Sequence, residues 1–269
     1  MDSTIPRHIH NTIVARLDHI EVEEDVRIFF ACESGSRAWG FPSTDSDYDV
    51  RFLSIHPPEW YLSVDMERKR DVIERPINDH LDLNGWDLRK ALWLLRKSNP
   101  PLLEWLASPI VYREYSAIPQ RLRELKARYY SPRACAYHYL HMAKGNYREY
   151  LHGARVWLKK YLYVLRPLLA IEWIIRDLGP VPMEFERLIE AVIEDRTLRW
   201  AIDQLLEAKK AGDELAVGPR IDPISLYLEE ALPRLECLIS DTEVRTAPID
   251  ELNAVFREGL REMWDMKRA

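Results

Sequence analysis

The stretch that decides the reading is residues 28–55, IFFACESGSRAWGFPSTDSDYDVRFLSI. An apolar run, IFFAC, reads as a strand, and Gly35-Ser36 follows it as a sharp turn whose backbone N–H groups can face an anion. Ten residues later come Asp47-Tyr48-Asp49, at the start of a second apolar run. Strand alternation places Asp47 and Asp49 on one face while Tyr48 and Val50 point into a core. Paired carboxylates repel unless a cation lies between them. Mg²⁺ suits such a site, because it is held through one or two carboxylates together with substrate phosphates and water.

Further strands are expected at 70–74 and over NDHLDLNG (78–85). The alternation in the latter puts His80, Asp82 and Asn84 on the polar face and Leu81 and Leu83 on the buried one. Asp82 is thus the expected third carboxylate. Asp87 competes for that role, but it precedes the good helix formers of DLRKALWLLRKS (87–98) and is better explained as their N-cap. A first helix is expected over 6–20, and a short helical turn after Asn99-Pro100-Pro101.

Beyond about residue 120 the strand signals stop. Apolar spacings of three and four predict helices over 132–152, 154–177, 184–194, 196–211, 222–240 and 248–267. Pro167 falls inside one of these patterns, where it is expected to kink the helix, and 211–223 reads as a mobile loop. The expected fold is α+β: a domain with a small mixed sheet over 1–118, then an all-helical domain over 119–269 that closes the cleft.

The chain has 269 residues, 47% hydrophobic and 30% charged, with a net charge of −6, values of a globular protein rather than a disordered one. The acidic balance argues against a dedicated non-specific nucleic-acid binder without excluding a local basic groove. Cys32, Cys135 and Cys237 are too few and too scattered for a disulfide framework or a CxxC zinc site, so free thiols are expected. With no long apolar run and no secretory leader in MDSTIPRHIH, no membrane association and a cytoplasmic location are expected.

The Gly35-Ser36, ten-residue gap and Asp47-Tyr48-Asp49 pattern resembles the signature of the DNA polymerase β-type nucleotidyltransferase superfamily. The wider strings ESGSRAWGFPSTDSDYDVRFL and GWDLRKALWLLRKSNPPLLEWLASPIVY are similar to bacterial and phage nucleotidyltransferases of the RNA-repair-associated polymerase-β-like family. The similarity continues through MAKGNYREYL and KKYLYVLRPLLA. It implies transfer of a nucleoside monophosphate from an NTP to a hydroxyl, with pyrophosphate released and an RNA end as the leading acceptor. A protein partner, as for antitoxin-like relatives, and a small molecule are alternative acceptors, and a non-catalytic nucleotide sensor is a further alternative.

Under the resemblance, Asp47, Asp49 and Asp82 would hold two Mg²⁺ ions, with Mn²⁺ an alternative, and Asp82 would help activate the acceptor. Gly35, Ser36 and Arg37 would meet the triphosphate. A cation from the helical domain would join them, with Lys160 chosen, Lys159 left open, and Arg166 on the same helix.

The remaining motifs have plainer readings. Trp93, Trp105, Trp157 and Trp173 are expected in the core, while Trp39 and Trp86, beside the site motifs, are more open to a base. His138 and His141 lack an acidic partner for zinc. Lys144, Asn146, Tyr147 and Arg148 form a polar helix face, Glu33 is expected to brace the Gly35 turn, and ERKRD (67–71) reads as an exposed hairpin.

Overall fold

A computed structural model describes residues 5–78, 80–212, 216–239 and 248–264. In chain order, the first elements are α1 (Arg7–Glu24), β1 (Arg27–Glu33), α2 (Gly35–Trp39), β2 (Tyr48–Ile55), α3 (Pro58–Tyr61), β3 (Val72–Glu74), β4 (Leu81–Asp87), α4 (Leu88–Arg96), α5 (Pro100–Leu106), β5 (Val111–Glu114) and α6 (Ile118–Tyr129). There follow α7 (Pro132–Tyr150), β6 (Arg155–Trp157), α8 (Leu158–Ile175), α9 (Phe185–Val192), α10 (Arg196–Lys210), β7 (Val217–Pro219), α11 (Asp222–Ile239) and α12 (Asp250–Met263).

The chain forms two compact units. Among the described residues, the first takes 5–38, 47–130 and 248–264, and the second takes 39–46 and 131–239. This division differs from a boundary at 118/119. The apolar stripe of α6 (Ile118, Leu122, Leu125, Tyr129) is buried within the first unit, and α12 packs on α4, α6 and β2 of the same unit. Periodicity shows that a helix has an apolar stripe but not what covers it.

The first unit is built on a five-stranded mixed sheet in the order β3-β4-β2-β1-β5. β1 runs antiparallel to β2 and β5, β2 runs parallel to β4, and β3 is antiparallel to β4. β1 is an interior strand between β2 and β5 and is buried from Ile28 through Glu33, which accounts for its unbroken apolar run. On one face Ile13, Leu17 and Ile20 of α1 meet Ile28, Val50, Phe52, Leu81 and Leu83. Burying each such side chain is worth about 1.5–3 kcal/mol. Gly85 lies opposite Phe52 in the parallel register, and a side chain at that position would collide with the Phe52 ring. The opposite face carries Asp49, Arg51, Asp82 and Asn84, the polar half of the same alternation.

The second unit is helical around α8, whose side chains are buried from Val164 through Ile174. It packs against α7, α9 and α11, and α10 packs on α11. Pro167 lies within this continuous helix. The all-helical expectation needs one correction: β6 and β7 pair antiparallel, Arg155 opposite Pro219 and Trp157 opposite Val217. Three-residue strands leave no alternation long enough to read. Part of the expected 211–223 loop is therefore strand, while 213–215 lies outside the described residues. The segment 39–46 also belongs to this unit, with Phe41 edge-on to Phe185 at 5.4 Å between centroids.

Two tryptophans expected in the core are open instead, Trp93 at 45% and Trp157 at 50% exposed, while Trp105 and Trp173 are buried. Cys32 and Cys135 are buried, Cys237 is exposed, and none of the three is in a disulfide. ERKRD forms a 3-10 turn at Met66–Arg68 leading towards β3 rather than a hairpin. Among the described residues no helix is long and apolar enough to cross a membrane.

Candidate active site

The parallel pairing of β2 with β4 sets Asp49 directly opposite Asp82. Both carboxylates lie on the polar face, and Arg51 spans them. Its Nη2 donates to Asp49 Oδ1 at 3.0 Å and to Asp82 Oδ2 at 2.7 Å. Asp47 is placed differently from the strand-face expectation. β2 begins at Tyr48, so Asp47 precedes the alternation, and its Oδ1 lies 3.3 Å from His80 Nδ1. The backbone locks this corner too, with Tyr48 N–H donating to the carbonyl of His80 at 2.7 Å. His80 holds a left-handed φ of +61°, a conformation uncommon outside glycine.

Gly35 is the first residue of the short helix α2 rather than part of an open turn. Its φ is +58°, and a methyl group there would collide with Asp49 Oδ2. Glycine is required at this position twice over, for its backbone conformation and for the close approach of the carboxylate. Ser34 N–H donates to the Asp49 carbonyl at 2.8 Å, fastening the motif to β2. Ser36 is buried, and the Arg37 guanidinium lies 4.0 Å from the Tyr48 ring centroid, within cation–π range.

Glu33 braces β2 rather than the turn alone: its Oε1 accepts the Asp49 backbone N–H at 2.9 Å, and Oε2 accepts from the Tyr112 hydroxyl. Burial, the largest cause, pushes the Glu33 carboxyl up from 4.5 to about 7 against those two donors. Over that interval the folded chain keeps a proton that the unfolded chain has released. Stability from this group is therefore fully present below about pH 4.5, declines as pH rises, and levels off above about 7. The shift corresponds to roughly 3 kcal/mol. Glu33→Gln is expected to remove that slope, which urea unfolding of both proteins between pH 4.5 and 7.5 measures. An equal slope in both would mean Glu33 titrates at its ordinary value.

The other candidates divide between the units. Asp87 caps α4 through Arg89 N–H at 2.8 Å, as its position predicts. Within the helical unit, Lys160 lies 4.1 Å from the Tyr150 ring centroid and 5.3 Å from that of Tyr163, with Asn146 Oδ1 at 3.5 Å. Lys159 is exposed. Arg166, expected to join the nucleotide-binding cations, is buried, its guanidinium 4.5 Å from the Trp39 ring centroid. Trp39 packs edge-on to Tyr163, and Trp86 stacks on Trp105 at 3.8 Å. On the polar face of α7, Lys144 pairs with Glu236, Tyr147 meets Glu229, and His141 faces the Tyr137 carbonyl.

Arg51 is the site residue that sequence reasoning passed over. Its signal was present, since it follows Asp49 by two and so shares the polar face.

The sequence model of the RNA repair pathway DNA polymerase beta family matches residues 9–258. The chain belongs to that family. At this level it is of the polymerase-β-like nucleotidyltransferase class. Within the span of the RNA repair pathway DNA polymerase beta family lie all the candidate residues named above. An uncharacterized protein of Bacillus subtilis (strain 168), YcgL, is 45% identical over 253 residues, 94% of this chain and 96% of that protein. A crystal structure of a nucleotidyltransferase-like protein from Exiguobacterium sibiricum 255-15 aligns over 94% of this chain and 80% of that one, at 14% identity and a TM-score of 0.31.

Among the described residues no three His, Cys, Asp or Glu side chains are gathered closely enough to hold an ion by themselves. Asp49 and Asp82 are nevertheless hard oxygen donors opposite one another on adjacent strands, a set that would fit Mg²⁺ where further oxygens, such as those of a substrate phosphate, completed its shell.

Proposed function

We propose that the chain transfers a nucleoside monophosphate from an NTP to a hydroxyl acceptor, an RNA end, releasing pyrophosphate. The observation that carries this reading is the in-register pair Asp49 and Asp82 with the Gly35 backbone packed against Asp49. The family's description, an RNA repair pathway, favours RNA as acceptor.

In this reading Asp47, Asp49 and Asp82 would hold Mg²⁺ together with substrate oxygens, two ions in the full assembly, with Mn²⁺ able to replace them. Bound there, the metal supplies positive charge to the triphosphate and to the attacking and leaving oxygens. The chain's own part is mostly placement. The Gly35-Ser36 backbone and Arg37 seat the triphosphate so that the acceptor oxygen bonds to the α-phosphorus as the bond to pyrophosphate breaks. Asp82 takes the acceptor's proton.

Lys160 adds a cation for the triphosphate. Lys160→Ala is expected to raise the KM for NTP about tenfold with little change in melting temperature; a fall in melting temperature alone would make Lys160 structural.

The deciding experiment supplies each α-labelled NTP with Mg²⁺, with and without total RNA, to the wild type and to an Asp47→Asn/Asp49→Asn control. Label entering RNA only with intact carboxylates is the expected result. Label entering a co-purified protein instead would reassign the acceptor, and NTP binding without any transfer would make the chain a sensor.

A further inference from the structure

Arg51 has more partners than a surface ion pair needs. Its Nη1 donates to two backbone carbonyls, Val50 at 3.1 Å and Asp82 at 2.9 Å, and its Nη2 to the carboxylates of Asp49 and Asp82. The side chain is 17% exposed, against 25% for Asp49 and 28% for Asp82. The backbone bonds depend on neither carboxylate, so they anchor the guanidinium between the two. A planar fork with fixed donors suits that task where a lysine ammonium does not.

We propose that Arg51 is a built-in counter-ion that occupies the position between Asp49 and Asp82 and competes with a divalent cation for them. The inference rests on the reading of these two residues as cation ligands. Side by side on adjacent strands, the carboxylates repel each other, and Arg51 relieves that repulsion while no other cation is bound. A divalent ion must then draw carboxylate oxygens away from the guanidinium and enter against its charge. The negative triphosphate offsets that charge, so the cation enters with the NTP rather than ahead of it. The free protein keeps its carboxylates ordered without binding metal tightly.

The test titrates Mn²⁺ alone into the wild type, Arg51→Gln, Asp49→Asn and Asp82→Asn, following heat of binding and thermal melting. Arg51→Gln is expected to bind Mn²⁺ about tenfold more tightly. Its metal-free melting temperature should be lower than that of the wild type and should rise further on adding Mn²⁺. Equal or weaker binding by Arg51→Gln, with wild-type binding abolished by Asp49→Asn or Asp82→Asn, overturns the competition and leaves the carboxylate site standing. Binding that neither Asn variant alters overturns the site and the competition together, and no binding in the wild type and Arg51→Gln alike overturns the competition, leaving the site to be judged by the transfer assay. If Arg51→Gln does not fold, Arg51→Lys takes its place, since lysine keeps the charge but cannot reach all four acceptors. Binding about threefold tighter is then expected, and equal or weaker binding overturns the proposal.

Discussion

Asp49→Asn and Asp82→Asn are each expected to lower the rate of nucleotidyl transfer roughly a thousandfold while the protein still folds. Asn keeps the volume of Asp, so the close approach of Asp49 to Gly35 is preserved and no cavity opens. What is lost is a negative charge facing the triphosphate and its cation. Each substitution also takes one carboxylate from Arg51, but the pair is partly exposed, so the cost in stability is about 1 kcal/mol or less. The two substitutions together should cost little more than either alone, because the carboxylates act as a unit. Initial rates of label transfer, read beside urea unfolding of the same preparations, check both halves. Activity within tenfold of wild type in either variant would remove that residue from the chemistry.

Asp82 could be chosen from sequence because strand alternation sorts His80, Asp82 and Asn84 from Leu81 and Leu83 without knowledge of the neighbours. Its pairing with Asp49 could not, since register depends on which strands meet, and the β2–β4 pair is parallel across an intervening α3 and β3. Arg51 escaped notice for a related reason: an arginine in a strand reads as a solvated edge residue until a partner strand places two carboxylates beside it. The helices after residue 130 were legible from their spacing, but which unit α12 joins was not. The burial of Arg166 against Trp39 was likewise hidden, because a cation on a helical stripe looks exposed until an aromatic ring from elsewhere in the chain covers it. Gly35 was read as a turn because glycine and serine favour turns. Its place at the start of α2, with a positive φ and against the Asp49 carboxylate, depends on the fold that brings β2 beside it.

The other acid once in contention yields the second large effect, this time on stability. Asp87 is buried and accepts three hydrogen bonds: Arg89 N–H at 2.8 Å, His56 Nδ1 at 2.9 Å and the Tyr61 hydroxyl at 2.5 Å. Burial first, and then the Asp87 charge, keep the Tyr61 hydroxyl protonated well above its usual range. The network extends outward, with His56 stacked on Trp60 at 3.9 Å and Tyr61 edge-on to Phe256 of α12. Asp87→Ala strips the cap from α4 and leaves His56 and Tyr61 with unmet donors in a buried place, at a cost of about 4 kcal/mol. Asp87→Asn keeps the volume and a competent cap but loses the charge, and about 2 kcal/mol is expected. Transfer per folded molecule should stay within about threefold of wild type in Asp87→Asn, since α4 and its cap lie at the far end of β4 from Asp82. Denaturant unfolding together with rates normalised to folded protein separates the two acids. A stable but inactive Asp87→Asn would reverse their roles, making Asp87 the third carboxylate and Asp82 a partner for Arg51 alone.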